Sequence, residues 1–337
     1  MKILAHVHGY PPEHGAGAEW MLHHLLAEMV KRGHTCDVIA QPFAESGEIE
    51  GVTVYADGGE EARLWGECDV ALTHLDRTRE AVDLAVEHAK PLVHLVHNPS
   101  QLAFWNISRF NCQCAVFNSV WLRERVQWVG QATVVRPPVD AKRYRVKPGA
   151  KIALLNVSPE KGSAIFWDLA RRMPGHEFLA VDGVYGRQTR PRGGLANVEY
   201  IPNQADVRKV YKKTRVLLMP SSFESWGRCA IEAACSGIPT IASPVEGLVE
   251  SLGMAGIFRP LGNPKAWEEA VRELDGEKVW AEASARALRR SVELDPKPDY
   301  DAFETALELA AASSPAVIPP KGYWNGPPRR HGNARRR

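Results

Sequence analysis

The chain has 337 residues, enough for two domains that each bury a core of their own. With 45% hydrophobic and 24% charged residues, and no apolar run near the roughly 20 residues that cross a bilayer, the composition is that of a soluble globular protein and not an integral membrane one. The formal net charge of +2 hides an asymmetry: Lys321, Arg329, Arg330, Arg335, Arg336 and Arg337 close the chain with no acid among them, and removing those six takes the rest from +2 to −4. A mildly acidic body argues against wrapping nucleic acid, which requires neutralising phosphates.

The opening stretch MKILAHVHGYPP lacks the long apolar core of a signal peptide and reads as the first strand of a cytoplasmic enzyme. A helix follows from about Glu19 to Arg32, with Met21, Leu22, Leu25, Leu26, Met29 and Val30 on one stripe and Gly33 as its stop. The runs CDVIA, VTVYA, DVALTH, PLVHLVH, CAVFNS and ATVVR then alternate with helical patterns, which predicts a parallel sheet covered on both faces. Segment 137–150, PPVDAKRYRVKPGA, breaks the pattern and suits a linker. A second alternating set follows: KIALLNV, HEFLAV, NVEYIP, RVLLMP, IPTIAS and AGIFRP. Beyond Asn263 the pattern is helical. Cys36, Cys68, Cys112, Cys114, Cys229 and Cys235 are scattered, without the two close ligand pairs of a structural zinc site, so they read as reduced core thiols.

Four segments carry chemistry. In MPSSFESWGRCAIEAACSGIPTIAS, at 219–243, a strand feeds a loop and then a helix, so backbone N–H groups without intrahelical partners face the loop and favour an anion. Glu224 and Glu232 stand eight positions apart, at most ~12 Å along a helix, and each carboxylate can accept two hydroxyl hydrogens. In LLNVSPEKGSAIFWDLARRMP, Lys161 and Gly162 stand at a helix entrance, where a point charge and a close backbone approach suit a phosphate. In HGYPPEHGAGAEW, Gly15 and Gly17 precede the first helix, which Glu19 opens. In LVHLVHNPSQ, His97 follows a buried strand, whereas His74 and His94 read as structural residues.

The Glu-x7-Glu pair in its strand, loop and helix resembles the signature of glycosyltransferase family 4 and related retaining GT-B enzymes. Lys161–Gly162 is similar to the family's strand-R-x-x-x-x-K-G element, with Asn156 where the family has Arg, and Arg187 or Arg228 as conceivable replacements. The opening loop is similar to its GGAE element, with Ala16 replacing the first glycine. FNSVWLRERV, VVRPPVD and PVEGLVE, the last with Glu246 for a glycine and Glu250 kept, follow in the family's order.

The resemblance implies an α/β GT-B fold, two Rossmann-like domains facing each other across a cleft. The expected organisation is an acceptor-side domain at 1–145, a nucleotide-sugar domain at 146–296, a C-terminal helix at 297–313 packing back on the first domain, and a basic disordered tail at 314–337. It implies that Glu224 faces the transferred sugar, Glu232 the ribose, and His97 the donor sugar near its reacting carbon. Lys161, Gly162, Ser225, Trp226, Gly227, Gly15 and Gly17 would surround the sugar and phosphates. The implied enzyme retains anomeric configuration and uses no metal and no cofactor beyond its nucleotide diphosphate sugar. Its acceptor, a glycan, lipid or protein, is left open. So are an epimerase or glycan synthase of the same fold, a nucleic-acid-associated nucleotide-sugar binder using the basic tail, and a cytoplasmic enzyme peripheral to a membrane.

Overall fold

The computed structural model describes residues 1–40, 46–56 and 59–322. The chain divides into two compact units, one of residues 1–13, 22–136 and Asp299 onward, the other of 14–21 and 137–298.

In unit 1 the strands are β1 (Lys2–Val7), β2 (Thr35–Ala40), β3 (Gly47–Ile49), β4 (Val52–Ala56), β5 (Val70–Thr73), β6 (Leu92–Val96), β7 (Cys114–Phe117) and β8 (Gln131–Val134). They form one sheet in the order β3-β4-β2-β1-β5-β6-β7-β8. Every pairing is parallel except β3 with β4. The helices are α1 (Gly17–Lys31), whose stretch up to Met21 belongs to unit 2, α2 (Glu61–Glu67), α3 (Thr78–Glu87), α4 (Gln101–Trp105) and α5 (Val120–Arg125). Strands covered on both faces need unbroken apolar runs, and β5, β6 and β7 are buried along their whole length. The predicted stripe of α1 is also packed inward, with Met21, Leu22, Leu25, Leu26 and Met29 all buried.

Unit 2 contains α6 (Ala141–Tyr144), β9 (Lys151–Leu155), α7 (Ser163–Arg172), β10 (Phe178–Val181), β11 (Val198–Ile201), α8 (Arg208–Tyr211), β12 (Thr214–Met219), α9 (Arg228–Ala234), β13 (Thr240–Ala242), α10 (Glu246–Leu252), β14 (Ile257–Phe258), α11 (Pro264–Glu273) and α12 (Glu277–Glu293). Its sheet is wholly parallel, in the order β11-β10-β9-β12-β13-β14. One core packs Phe166, Trp167, Phe178 and Trp267, and a second packs Tyr211, Trp226, Ile231 and Leu248. The chain winds outward from β9 in one direction and from β12 in the other. The carboxyl ends of those two neighbours therefore flank the switch point, where loops diverge and leave a crevice.

The structure departs from the sequence reading in several places. β3 was not anticipated: Glu50 (φ 50°) and Gly51 (φ 82°) turn the chain with two consecutive positive φ angles, the signature of a tight two-residue hairpin, and lay β3 antiparallel on the sheet edge. The unit junction falls after Arg136 rather than near 145, and the expected linker contains α6, where Asp140 caps the Lys142 amide at 2.9 Å. The last helix, α13 (Lys297–Ala311), passes into unit 1 at Asp299. The first part of the expected disordered tail is held: the Ala316 and Val317 amides donate to Lys90 and Phe110 carbonyls, and Ala316 is buried. The tail arginines lie outside the described residues.

Asp299 anchors α13 in unit 1. Its carboxylate, 7% exposed, accepts the Arg136 amide at 2.7 Å and the Arg136 guanidinium at 3.0 and 2.8 Å. With Asp301 it forms an Asp-x-Asp pair, but Asp301 is held by Arg32 at 2.8 Å, so both carboxylates are occupied by arginine. Asp299→Ala leaves the Arg136 guanidinium and amide without this acceptor and is expected to lower unfolding free energy by about 3 kcal/mol. Urea denaturation followed by circular dichroism measures the change, and a loss near zero contradicts the anchoring role.

Candidate donor site

Three loops leave the carboxyl ends of β9, β10 and β12 in unit 2, and each brings one component of a single cavity of about 470 Å³. Every residue lining that cavity belongs to unit 2, including Gly15, Ala16, Gly17 and Trp20 of the opening loop.

After β9 the chain makes a 3-10 turn, Pro159–Lys161, and enters α7 through Gly162. Gly162 has φ 77°, and a Cβ there would sit 2.0 Å from the Pro220 carbonyl oxygen, so no other residue fits without displacing the loop after β12. Gly162 does not itself line the cavity. Its contribution is to hold the two loops together, and Lys161 beside it does line the cavity.

The loop after β12 carries Glu224. Its Oε1 accepts Lys161 Nζ at 2.6 Å and Ser221 Oγ at 2.9 Å, and the side chain is only 12% exposed. Ser225 and Trp226 are absent from the lining, and the Trp226 indole packs into the second core with Leu248 and Ile231. The chain then reaches Gly227, which lines the cavity and precedes α9. One turn inside α9, Glu232 reaches the same cavity. The eight-residue spacing thus brings both carboxylates, with Lys161, to one pocket.

Asn156 ends β9 with φ 67°, a left-handed conformation that Asn adopts far more readily than Arg. Its amide is used locally, accepting the Ser158 amide at 3.2 Å and Gln188 Nε2 at 3.1 Å. It supplies no cation. Neither proposed replacement stands free in its place: Arg187 is exposed and outside the lining, and Arg228 lines the cavity but is bonded to Glu232, Pro138 and Tyr144. The remaining lining cations are Arg143, whose guanidinium lies 5.8 Å from the Trp20 ring centre, and Arg208, paired with Asp206 at 2.7 Å.

Sequence reasoning missed Tyr185, Tyr211 and Tyr144. The Tyr185 hydroxyl, on the loop after β10, binds Glu19 Oε1 at 2.8 Å and His14 Nδ1 at 2.6 Å, which ties the opening loop to this end of the sheet. Tyrosines outside any motif gave no signal in the string. All six cysteines carry free thiols and five of them are buried, so burial pushes the Cys36 and Cys235 thiols up to about 12 and leaves them unreactive.

In unit 1, His97 follows β6 as expected. Its backbone N–H donates to Gln101 Oε1 at 2.7 Å, and its Nε2 shares a 3.0 Å hydrogen bond with Nδ1 of His74 at the end of β5. Gln101 also bonds His94 Nε2 at 3.1 Å. Elsewhere in unit 1, His6 lies near Glu61 and Glu80 in a geometry open to a metal. However, His6 Nδ1 accepts Trp65 Nε1–H at 3.2 Å, so neutral His6 carries its proton on Nε2, the atom facing Glu80 at 3.9 Å. A metal there needs that lone pair, so the donor set does not suit one.

Residues 178–275 match the family model described as Glycosyl transferases group 1. Across 91% of this chain and 99% of the other, the fold superposes with TM-score 0.71 and 16% identity on an Anabaena protein, Alr3699/HepE, solved in complex with UDP-glucose. A glycosyltransferase from Rickettsia africae ESF-5 superposes with TM-score 0.69 and 15% identity over 92% of this chain and 99% of its own. The fold is GT-B. A curated relative of this GT-B chain, the D-inositol 3-phosphate glycosyltransferase of Segniliparus rotundus, is 28% identical over an alignment of 174 residues that covers 42% of this chain and 38% of the relative. The match thus spans well under half of that relative's length.

Burial, reinforced by the neighbouring His97, pushes the His94 imidazole down to about 3, well below its unfolded value near 6.5. Between those values the unfolded chain binds a proton that the folded one refuses, so stability falls as pH is lowered through this window. From pH 7.5 to 4.5 the wild type should lose about 3 kcal/mol more than His94→Gln in urea titrations. Parallel losses in the two proteins would show that His94 takes up its proton as readily in the fold as in the unfolded chain.

Proposed function

We propose that this GT-B protein is a glycosyltransferase that moves a hexosyl group from a nucleotide diphosphate sugar to an acceptor hydroxyl, with retention of anomeric configuration and without a metal. The observation that carries the reading is the placing of Lys161, Glu224 and Glu232 around one cavity at the switch point of the unit 2 sheet. The matched segment 178–275 covers β10 to α11 and so includes both glutamates. The resemblance to family 4 supports retention.

In this mechanism the bond from the anomeric carbon to the diphosphate oxygen breaks as negative charge collects on the diphosphate and positive charge on the sugar. Lys161 Nζ and the N-terminus of α7 beside it stabilise the departing charge. The diphosphate oxygen takes the acceptor's proton while the acceptor oxygen bonds the same face of the sugar. Glu224 accepts sugar hydroxyl hydrogens once the donor draws Lys161 away. Glu232 accepts from the ribose, and the resemblance assigns His97 to the donor sugar. The name of the Segniliparus relative, a D-inositol 3-phosphate glycosyltransferase, supports a small hydroxylated acceptor.

A screen of nucleotide sugars by thermal shift, followed by product analysis with candidate acceptors, tests the reading. Release of free nucleotide dependent on acceptor supports transfer, whereas donor consumption without any acceptor favours an epimerase. Glu224→Gln is expected to cut turnover at least about 100-fold with little change in nucleotide affinity. Turnover at the wild-type rate removes Glu224 from the site. Lys161→Ala should weaken nucleoside diphosphate binding about tenfold or more, through loss of a charge-assisted contact. Unchanged affinity in calorimetry removes Lys161.

A further inference from the structure

The Glu232 carboxylate is held from two sides, by Arg228 one turn earlier on α9 and by Tyr211 at the end of α8. Arg228 Nε donates to its Oε1 at 2.6 Å, and the Tyr211 hydroxyl donates to its Oε2 at 2.8 Å. Arg228 also donates from Nη1 to the Pro138 carbonyl at 2.9 Å and from Nη2 to the Tyr144 hydroxyl at 2.8 Å. Arg228 and Glu232 are 6% and 5% exposed, and Tyr211 is fully buried. The guanidinium is therefore fixed by three partners on α6, α9 and the segment before α6, and it fixes the carboxylate in turn.

An ionised carboxylate offers about four lone pairs. With one oxygen engaged by Arg228 and the other by Tyr211, each oxygen keeps one further lone pair, and Glu232 lines the cavity. Two remaining acceptor sites on two neighbouring oxygens match the two hydroxyls of a vicinal diol. Burial and the adjacent Glu232 charge push the Tyr211 hydroxyl well up, so it stays a donor at neutral pH.

We propose that Arg228 and Tyr211 are positioning residues that hold the Glu232 carboxylate in the orientation that reads the 2′- and 3′-hydroxyls of a nucleoside diphosphate. The assignment rests on the donor-site reading above and adds the pair of residues that makes Glu232 selective. A rigid carboxylate discriminates because a ligand lacking the hydroxyls leaves its lone pairs unmatched in a nearly dry wall, whereas a loose carboxylate turns elsewhere.

The test is calorimetry on the full chain with UDP, GDP and ADP, and with the 2′,3′-dideoxy form of whichever binds. Wild-type protein is expected to bind the ribose form at least about tenfold more tightly than the dideoxy form. Tyr211→Phe removes one O–H and keeps the ring, and Arg228→Lys keeps the charge but not the fork. Each should bring that ratio to within about threefold while dideoxy affinity stays near wild type. A purely structural role would weaken both ligands together and leave the ratio unchanged. If Arg228→Lys does not fold, Tyr211→Phe alone decides. A wild-type ratio preserved in folded Tyr211→Phe overturns this inference and leaves the donor-site reading standing. A wild-type protein with no preference for the ribose form, or one that binds no nucleoside diphosphate, overturns the Glu232 assignment itself.

Discussion

Lys161 and Glu224 sit 2.6 Å apart in a crevice where Glu224 has little water, and the candidate donor site is organised around that ion pair. Bringing two charges out of water is unfavourable unless each meets its partner with good geometry. The sheet supplies the geometry. β9 and β12 are neighbours, their following loops leave the same edge, and Gly162 lets those loops touch at Pro220. The pair satisfies both charges. In the proposed function an incoming diphosphate competes for the lysine, so that binding would exchange one anionic partner of Lys161 for another and turn Glu224 toward hydroxyl groups.

A second buried pair, Arg228 with Glu232, lies along the same cavity but works differently. Arg228 has two further acceptors, and Glu232 a second donor in Tyr211. That pair has more partners than Lys161 with Glu224. In the proposed function it stays in place and presents the Glu232 carboxylate, while the other pair is opened by the donor. The chemistry proposed for the two glutamates follows from this contrast more than from their spacing.

Much of this was legible in the string because parallel strands buried on both faces cannot hide: all six strands of unit 2 coincide with apolar runs read from sequence. Strand β3 was not legible, since three residues with little apolar content depend on a turn at Glu50–Gly51. The common pocket of Lys161, Glu224 and Glu232 was anticipated from motif context. The positions of Gly162 and Trp226 were not, because a motif does not say which members face the ligand and which hold the loop against the core. Asn156 read as a missing cation; the backbone shows a left-handed residue with its amide bound locally, which a long cationic side chain suits poorly. Arg228 and Glu232 form an i,i+4 pair that the string contained, but Tyr211 on Glu232 and Pro138 and Tyr144 on Arg228 are distant in sequence, and such partners have no local pattern.

The central claim is that one nucleoside diphosphate fills the unit 2 cavity with its phosphates at Lys161 and its ribose at Glu232. A crystal structure with the nucleoside diphosphate identified by calorimetry tests it most directly. The account predicts a phosphate oxygen about 3 Å from Lys161 Nζ, with the Lys161–Glu224 contact broken and ribose hydroxyls on the Glu232 carboxylate. Nucleotide density elsewhere on the chain, with that contact intact, would contradict it.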